Sequence, residues 1–183
     1  MGWLLALAAG VVLGLATHVA TLLAVPSLVT DPAVQRLAVL GPEDAFLPLM
    51  AESDRPRVSF LDPAFRYRLC RFDLARGPVE LRVPIGPAYT ALTLYGRDGV
   101  PFFSINDRSA IGGMLAVVVT GPGAPPPAQP GDAQEASVAA PTLRGVALAA
   151  AMVPAASAIE AVETALSGAR CSEAGAPGAA ARP

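Results

Sequence analysis

Cys70 is the residue whose type and setting most suggest chemistry, because a thiol can act as a nucleophile, a metal ligand or half of a disulfide. It lies in the stretch RLCRF, where Arg68 and Arg71 could favour the reactive thiolate. A nucleophilic cysteine needs a nearby base, usually a histidine. The only histidine is His18, which lies in a long apolar run. A Cys–His pair is therefore not expected. A reactive thiolate at Cys70 would have to be stabilised by the neighbouring arginines alone.

The second cysteine, Cys171, offers Cys70 a different partner. It lies just beyond the last predicted helix, from where it could reach a neighbouring sheet. A disulfide between the two would close a loop of about 100 residues and stabilise the fold by roughly 3 to 5 kcal/mol in the chain-entropy model. Because such a bond needs an oxidising compartment, the prediction of a Cys70–Cys171 disulfide is also a prediction of location.

Metal and cofactor chemistry find no support in the sequence. A structural zinc site needs about four Cys, His or carboxylate ligands at close spacing, and no such pattern is present. The sequence also lacks G-x-S-x-G, P-loop and G-x-G-x-x-G motifs. We therefore expect no metal, no cofactor and no catalytic residue.

The densest polar cluster is Asn106, Asp107 and Arg108, at the end of a predicted strand. Residues of these types commonly form turns, which is the structural interpretation. The alternative is a polar cavity that binds a small ligand or a substrate. In that case the candidate ligand-binding residues are Arg68, Tyr95, Asn106, Asp107 and Arg108.

Strand signals dominate the region that must position these residues. Residues 79–85 alternate apolar and polar, which places the apolar side chains on one face. The Asp98–Gly99 pair between two apolar runs predicts a hairpin. We predict six strands, over residues 67–74, 79–85, 89–96, 101–107, 114–121 and 142–153. Their number and spacing favour a mainly β fold, either a sandwich or a barrel-like domain.

A helix is predicted after the last strand. Ser157 and Glu160 match the S-x-x-E capping box, and Gly168 can end the helix. Ile159, Val162 and Leu166 form one apolar stripe. We expect this stripe to pack against the sheet.

The first thirty residues predict a membrane anchor. No residue from 2 to 29 carries a formal charge, and about 20 apolar residues suffice to cross a bilayer as a helix. A cleaved signal peptide is the alternative, but the apolar run is long and Met1 is followed by no basic residue. His18 is interpreted as a neutral side chain within this helix. Residues 31–41 predict a further short helix, with Asp31 as its cap.

These elements divide the chain into five parts. They are an anchor (1–29), a short helix and linker (30–58), a β domain (59–171) with a mobile Pro/Gly-rich loop (121–141), and a disordered tail (172–183). The net charge of −2 and the isoelectric point of 5.3 exclude the broad basic surface that nucleic-acid binding requires.

The stretch from Arg71 to Asp107, RFDLARGPVELRVPIGPAYTALTLYGRDGVPFFSIND, resembles a known family in the order and spacing of its elements. This is the uncharacterised family called domain of unknown function 1254, in its short, membrane-anchored bacterial version. The similarity covers roughly residues 1–171. It implies a cell-envelope protein with a mainly β domain, and a relation to a sister membrane protein carrying the uncharacterised domain 1214, to which longer relatives are fused. It implies no activity, and FRYRLCRF replaces the polar segment of those relatives.

Together these observations predict a single-span protein of the bacterial inner membrane. Residues 2–29 would lie in the lipid bilayer, and the β domain would lie in the periplasm, since an N-terminal anchor commonly exports the domain attached to it. We expect this domain to be a protein-binding or structural module rather than an enzyme. A ligand-binding or enzymatic cavity around Asn106, Asp107 and Arg108 is the alternative.

Overall fold

The chain divides into two compact units, residues 1–32 and 33–183, in the computed structural model of the protein. The structure describes residues 2–28, 43–49, 61–124 and 136–174. The short helix predicted over 31–41 and most of the predicted linker lie outside these ranges.

The first unit contains helix α1, Gly2–Leu28. Its 27 residues rise about 40 Å at 1.5 Å per residue, which exceeds the roughly 30 Å hydrocarbon core of a bilayer. Apolar side chains are exposed all around it. Within the described residues, α1 is the one helix long and apolar enough to cross a membrane.

The second unit is mainly β, with nine strands and one α-helix in its described part. The strands are β1 Leu47–Leu49, β2 Phe65–Asp73, β3 Val79–Pro84, β4 Thr90–Gly96, β5 Pro101–Asn106, β6 Met114–Thr120, β7 Ala136–Ala139, β8 Arg144–Met152 and β9 Arg170–Glu173; the helix is α2, Ile159–Ser167. The predicted fold class is confirmed, and all six predicted strands are present.

The strands form two sheets that pack face to face as a sandwich. One sheet has five strands in the order β1-β2-β8-β4-β5, and the other has four in the order β7-β6-β3-β9. All pairs of described strands are antiparallel except β6 with β7. Apolar side chains from both sheets form one core.

Alternation in the sequence explains how each strand supplies this core. In β3, Val79, Leu81 and Val83 are buried, whereas Glu80 and Arg82 point away from the core. In β8, inward-facing alanines at 147, 149 and 151 leave room for the opposite sheet and for α2.

Helix α2 contacts β2, β3 and β8, as its predicted apolar stripe requires. Val162 and Leu166 of the stripe are fully buried. Ile159, at the start of the helix, is exposed and takes no part in this packing. The stripe therefore packs through its two later residues.

The predicted capping box does not form. Ser157 lies in a 3₁₀ turn, Ala156–Ala158, and α2 begins after Ala158 without a side-chain cap. Ala158 has φ −92° and ψ −6°, whereas a capping residue needs an extended backbone to direct its side chain at the first turn. The 3₁₀ turn therefore replaces the box that the sequence pattern predicted.

Three described strands were not among the six predicted from the sequence. β1 lies in the segment predicted as linker, β7 lies in the predicted mobile loop, and β9 extends two residues into the predicted disordered tail. All three are short and owe their conformation to pairing with β2, β6 and β3, respectively. Such tertiary pairing leaves little local signal, and Pro48 within β1 argues against a strand by propensity alone.

Candidate functional site

A disulfide between Cys70 and Cys171 joins the two sheets of the sandwich. Cys70 lies on β2 of the five-stranded sheet, and Cys171 lies on β9 of the four-stranded sheet, with their Cα atoms 6.5 Å apart. Both residues are buried. The predicted bond is thus present, and it consumes the thiol that the flanking arginines had suggested as a nucleophile. Cys171 lies on β9, the last described strand, rather than at the end of the helix.

Arg68 and Tyr95 lie on opposite faces of the five-stranded sheet. Arg68 shares the inward face of β2 with Cys70, two residues later. Tyr95 follows the inward-facing Leu94 on β4 and therefore points outward, where it is half-buried. The structure does not bring these two candidates to one cavity.

The cluster of Asn106, Asp107 and Arg108 forms a turn at the end of β5. Asn106 Oδ1 accepts a hydrogen bond from the backbone N–H of Arg108 at 3.1 Å and so caps the 3₁₀ turn Asp107–Ser109. Asn106 lies opposite Ala91, at the far end of β4 from Tyr95. The three residues are together, but neither Arg68 nor Tyr95 joins them.

Arg68 instead belongs to a cluster that the sequence did not reveal. Arg66 Nε lies 3.3 Å from Glu163 Oε1, and Arg68 Nη2 lies 3.4 Å from Glu163 Oε2. Glu163 is on α2, so the cluster ties the helix to the beginning of β2. Because Arg68 and Glu163 are 95 residues apart, no local pattern could have paired them.

A second group of charges surrounds Asp44, at the entry to β1. Arg76 pairs with Asp44 and with Glu43 and Glu173, which connects the entry segment to β9. Burial raises the pKa of Asp44, and the neighbouring Arg76 opposes this effect. In the described part of the chain, no group of three or more histidines, cysteines and carboxylates is arranged to hold a metal ion.

The outer faces of the two sheets differ in polarity. On the four-stranded sheet, the outward positions of β3 and β9 include Glu80, Arg82 and Arg170. On the five-stranded sheet, the outward positions of the three central strands β2, β8 and β4 include the charged residues Arg71, Asp73 and Arg144 at one end, and the remaining positions in the middle of the sheet are mainly apolar. We call these residues the apolar outer face: Tyr67, Leu69, Ala91, Thr93, Tyr95, Val146, Leu148 and Ala150.

Part of the apolar outer face is covered by its own chain. Leu69 and Val146 are buried in a small cluster with Leu49 of β1, and Leu61, Tyr67 and Leu148 pack against it. Leu148, Ala150 and Tyr95 remain only half-buried. Helix α2 contributes Val162 and Leu166 to the core between the sheets, and so does not cover this side.

Comparisons with known proteins agree with the architecture. Residues 53–173 match the model of a family described as "Protein of unknown function (DUF1254)". Among solved structures, the VPA0106 protein from Vibrio parahaemolyticus superposes with a TM-score of 0.60 at 9% identity, over 78% of this chain and 34% of that one. A putative uncharacterised protein from Burkholderia cenocepacia has a TM-score of 0.47 at 14% identity, over 70% of this chain and 33% of that one.

The chain therefore spans about a third of the length of the two solved structures that it resembles. At such low identity, the likeness to the VPA0106 protein concerns the fold alone. The comparison with curated proteins gave no match.

Proposed function

The chain belongs to the DUF1254 family, and we propose that it is a single-span envelope protein whose β-sandwich binds a partner protein. In this proposal residues 2–29 cross the inner membrane of a bacterium, and the β domain lies in the periplasm. The partner is a sister membrane protein carrying the associated uncharacterised domain 1214.

The proposed location has two supports. Helix α1 is long enough for a bilayer and has no charged residue. The disulfide favours the periplasmic side, since disulfides persist in oxidising compartments and are rare in the cytosol. The two features are independent, because one lies in the N-terminal unit and the other in the sandwich.

The observation that carries the binding function is the apolar outer face. Leu148, Ala150 and Tyr95 extend over adjacent strands, and each is partly open to solvent. A contiguous apolar patch on a sheet commonly marks a protein interface, whereas scattered apolar residues do not. On the opposite sheet, β3 and β9 present Glu80, Arg82 and Arg170 outward, which interrupts the apolar residues that β6 presents on the same face.

The choice of partner is supported by the family. Resemblance to this family implies that longer relatives fuse this domain to the domain 1214. The VPA0106 protein, which has a similar fold, has a chain about three times as long as the shared region. Where the two domains lie on separate chains they can associate, and a sheet face of this kind would supply the contact.

Location is tested by a C-terminal fusion to a reporter enzyme that is active only outside the cytoplasm. We expect reporter activity in intact cells and recovery of the fusion in the membrane pellet. A silent but full-length fusion would contradict the proposed orientation. Recovery of the reporter activity in the soluble fraction would contradict the proposal that residues 2–29 anchor the protein in the membrane.

Binding is tested by co-purification of the full chain with the domain 1214 protein of the same organism in a mild neutral detergent. Leu148→Glu should abolish co-purification, because it places a charge in the centre of the apolar outer face. Val118→Glu is the matched control, since Val118 is a half-buried, outward-facing residue on the opposite sheet. Equal loss in both variants, or equal retention, would contradict docking at this face.

A further inference from the structure

Two guanidinium groups share one carboxylate where α2 meets β2. Arg66 and Arg68 each approach a different oxygen of Glu163, at 3.3 Å and 3.4 Å. Charge-assisted hydrogen bonds are normally shorter, about 2.7 to 2.9 Å. Both contacts are longer than this range. Among the described residues, the two guanidinium groups and the single carboxylate leave one positive charge unbalanced.

Arg68 is the more buried of the two arginines. Its side chain is 16% exposed, compared with 32% for Arg66. Arg68 Nε is buried, and no described residue accepts a hydrogen bond from it. An unsatisfied donor on a buried charged group is costly, so this atom is a strong position for an incoming acceptor.

The neighbours of Arg68 offer no alternative acceptor within the sheet. Arg66 and Arg68 lie opposite Ala151 and Ala149 on β8, whose side chains are single methyl groups. Glu163 is the accessible member of the cluster, with 41% of its side chain exposed. A small ligand could thus reach Arg68 by displacing Glu163 toward solvent.

We propose that Arg66 and Arg68 bind the carboxylate of a small acidic ligand, and that Glu163 takes the place of this carboxylate in the free protein. The Nε and Nη2 atoms of an arginine form one edge that matches both oxygens of a carboxylate. Glu163 uses only Nη2 of that edge in Arg68. A ligand carboxylate would engage both donors.

Shape and charge together indicate the class of ligand. A planar carboxylate matches the donor edge of Arg68 and carries the same single charge as the Glu163 carboxylate that it replaces, whereas a tetrahedral phosphate does not. This site is independent of the proposed function, because the arginines lie on the inward face of β2 and the apolar outer face lies on the other side of the same sheet.

The test uses the full chain in neutral detergent, with acetate as the probe and chloride at equal ionic strength as the reference. The Arg68 Nε–H resonance, assigned by its loss in Arg68→Lys, reports on the contact. We expect acetate to shift this resonance saturably. Glu163→Gln should make acetate bind about tenfold more tightly, because it removes the competing carboxylate.

Matched variants separate binding from a purely structural ion pair. Arg97→Gln, in the exposed turn between β4 and β5, should leave the acetate response unchanged, whereas Arg68→Gln should abolish it. If Arg68→Gln fails to fold, the more exposed Arg66→Gln serves instead and should weaken the response at least severalfold.

Three results would overturn the proposal. The first is an Arg68 Nε–H resonance that does not move with acetate in either the wild type or Glu163→Gln. The second is saturation by phosphate at lower concentration than by acetate. The third is a response to an acidic peptide with none to acetate, since a protein segment would then be the ligand.

Discussion

Phe72 on β2 lies directly opposite Gly145 on β8, and its ring occupies the space that a side chain at position 145 would need. A Cβ atom at position 145 would lie 2.8 Å from Phe72 Cε2 and 2.5 Å from the carbonyl oxygen of Tyr95. Phe72 is among the largest fully buried side chains of the domain. The absence of a side chain at Gly145 is therefore a requirement of core packing between two central strands.

Gly145→Ala should lower the free energy of unfolding by about 1 to 3 kcal/mol, because the added methyl group overpacks the core. Gly121→Ala is the control, since its Cβ would meet Leu143 Cδ2 at an ordinary 3.6 Å. That change should stay within about 0.5 kcal/mol of the wild type. Urea titrations followed by far-ultraviolet circular dichroism measure both. A loss for Gly145→Ala no larger than that for Gly121→Ala would contradict this packing requirement.

Removal of the disulfide by Cys70→Ala and Cys171→Ala together should lower the free energy of unfolding by roughly 3 to 5 kcal/mol. The loop that it closes has a sequence separation of 101 residues, so much entropy returns to the unfolded chain. Reductant should destabilise the wild type and leave the double variant unchanged. Two free thiols in unreduced, denatured wild type would contradict the bond.

Ser157→Ala should leave stability within about 0.5 kcal/mol of the wild type, since Ser157 makes no capping bond. A true capping box would lose about 1 kcal/mol on the same change. Leu166→Ala provides the contrast: this side chain is fully buried, and its truncation should cost about 2 to 5 kcal/mol. Thermal unfolding of the two variants distinguishes the cases.

Stability should fall in acid partly through Asp73. The N–H of Ala75 and then the guanidinium of Arg144 hold the pKa of this carboxyl below its ordinary value of 3.8. The stabilisation is complete above the pKa of the unfolded state and is lost as the pH falls through the lower pKa of the folded state. Asp73→Asn should therefore flatten the acid limb of a stability-against-pH curve. Arg144→Gln should flatten it less, because Ala75 still donates.

Asp44 should change the pH dependence of stability in the direction opposite to Asp73. Burial raises its pKa in the folded state, so the folded protein takes up this proton first, and stability is gained as the pH falls. Asp44→Asn removes this gain and should make the acid limb steeper than in the wild type. Curves of stability against pH for Asp44→Asn and Asp73→Asn check the direction of each effect independently. Slopes that change in the same direction would contradict the assignment.

The central strands were predictable because their local patterns agree with their burial. The alternation at 79–85 predicts β3, and the Asp98–Gly99 pair predicts the hairpin of β4 and β5, where Gly99 has φ 78°. The disulfide was predictable from the absence of competing partners for two cysteines. In each case the signal lies within a few residues or in the composition of the chain.

The remaining features depend on distant parts of the chain. β2 pairs with β8, and β3 pairs with β9, so the order of strands in each sheet could not be derived from local sequence. The sequence places Arg68 among the ligand-binding candidates with Tyr95 and Asn106, but the side chain contacts Glu163 on α2. Whether neighbouring polar residues on a strand share a site depends on which face each occupies and on which elements pack there.

Because β9 is the last described strand of the domain, its synthesis determines when the domain can finish folding. β3 emerges from the ribosome about 90 residues before β9, and Cys70 emerges 101 residues before the cysteine to which it is bonded. The four-stranded sheet and the link between the sheets therefore close only after residue 173 is available. A chain that ends at residue 168 would keep eight described strands and α2, but it would lack β9 and Cys171 and so could neither complete the four-stranded sheet nor form the disulfide.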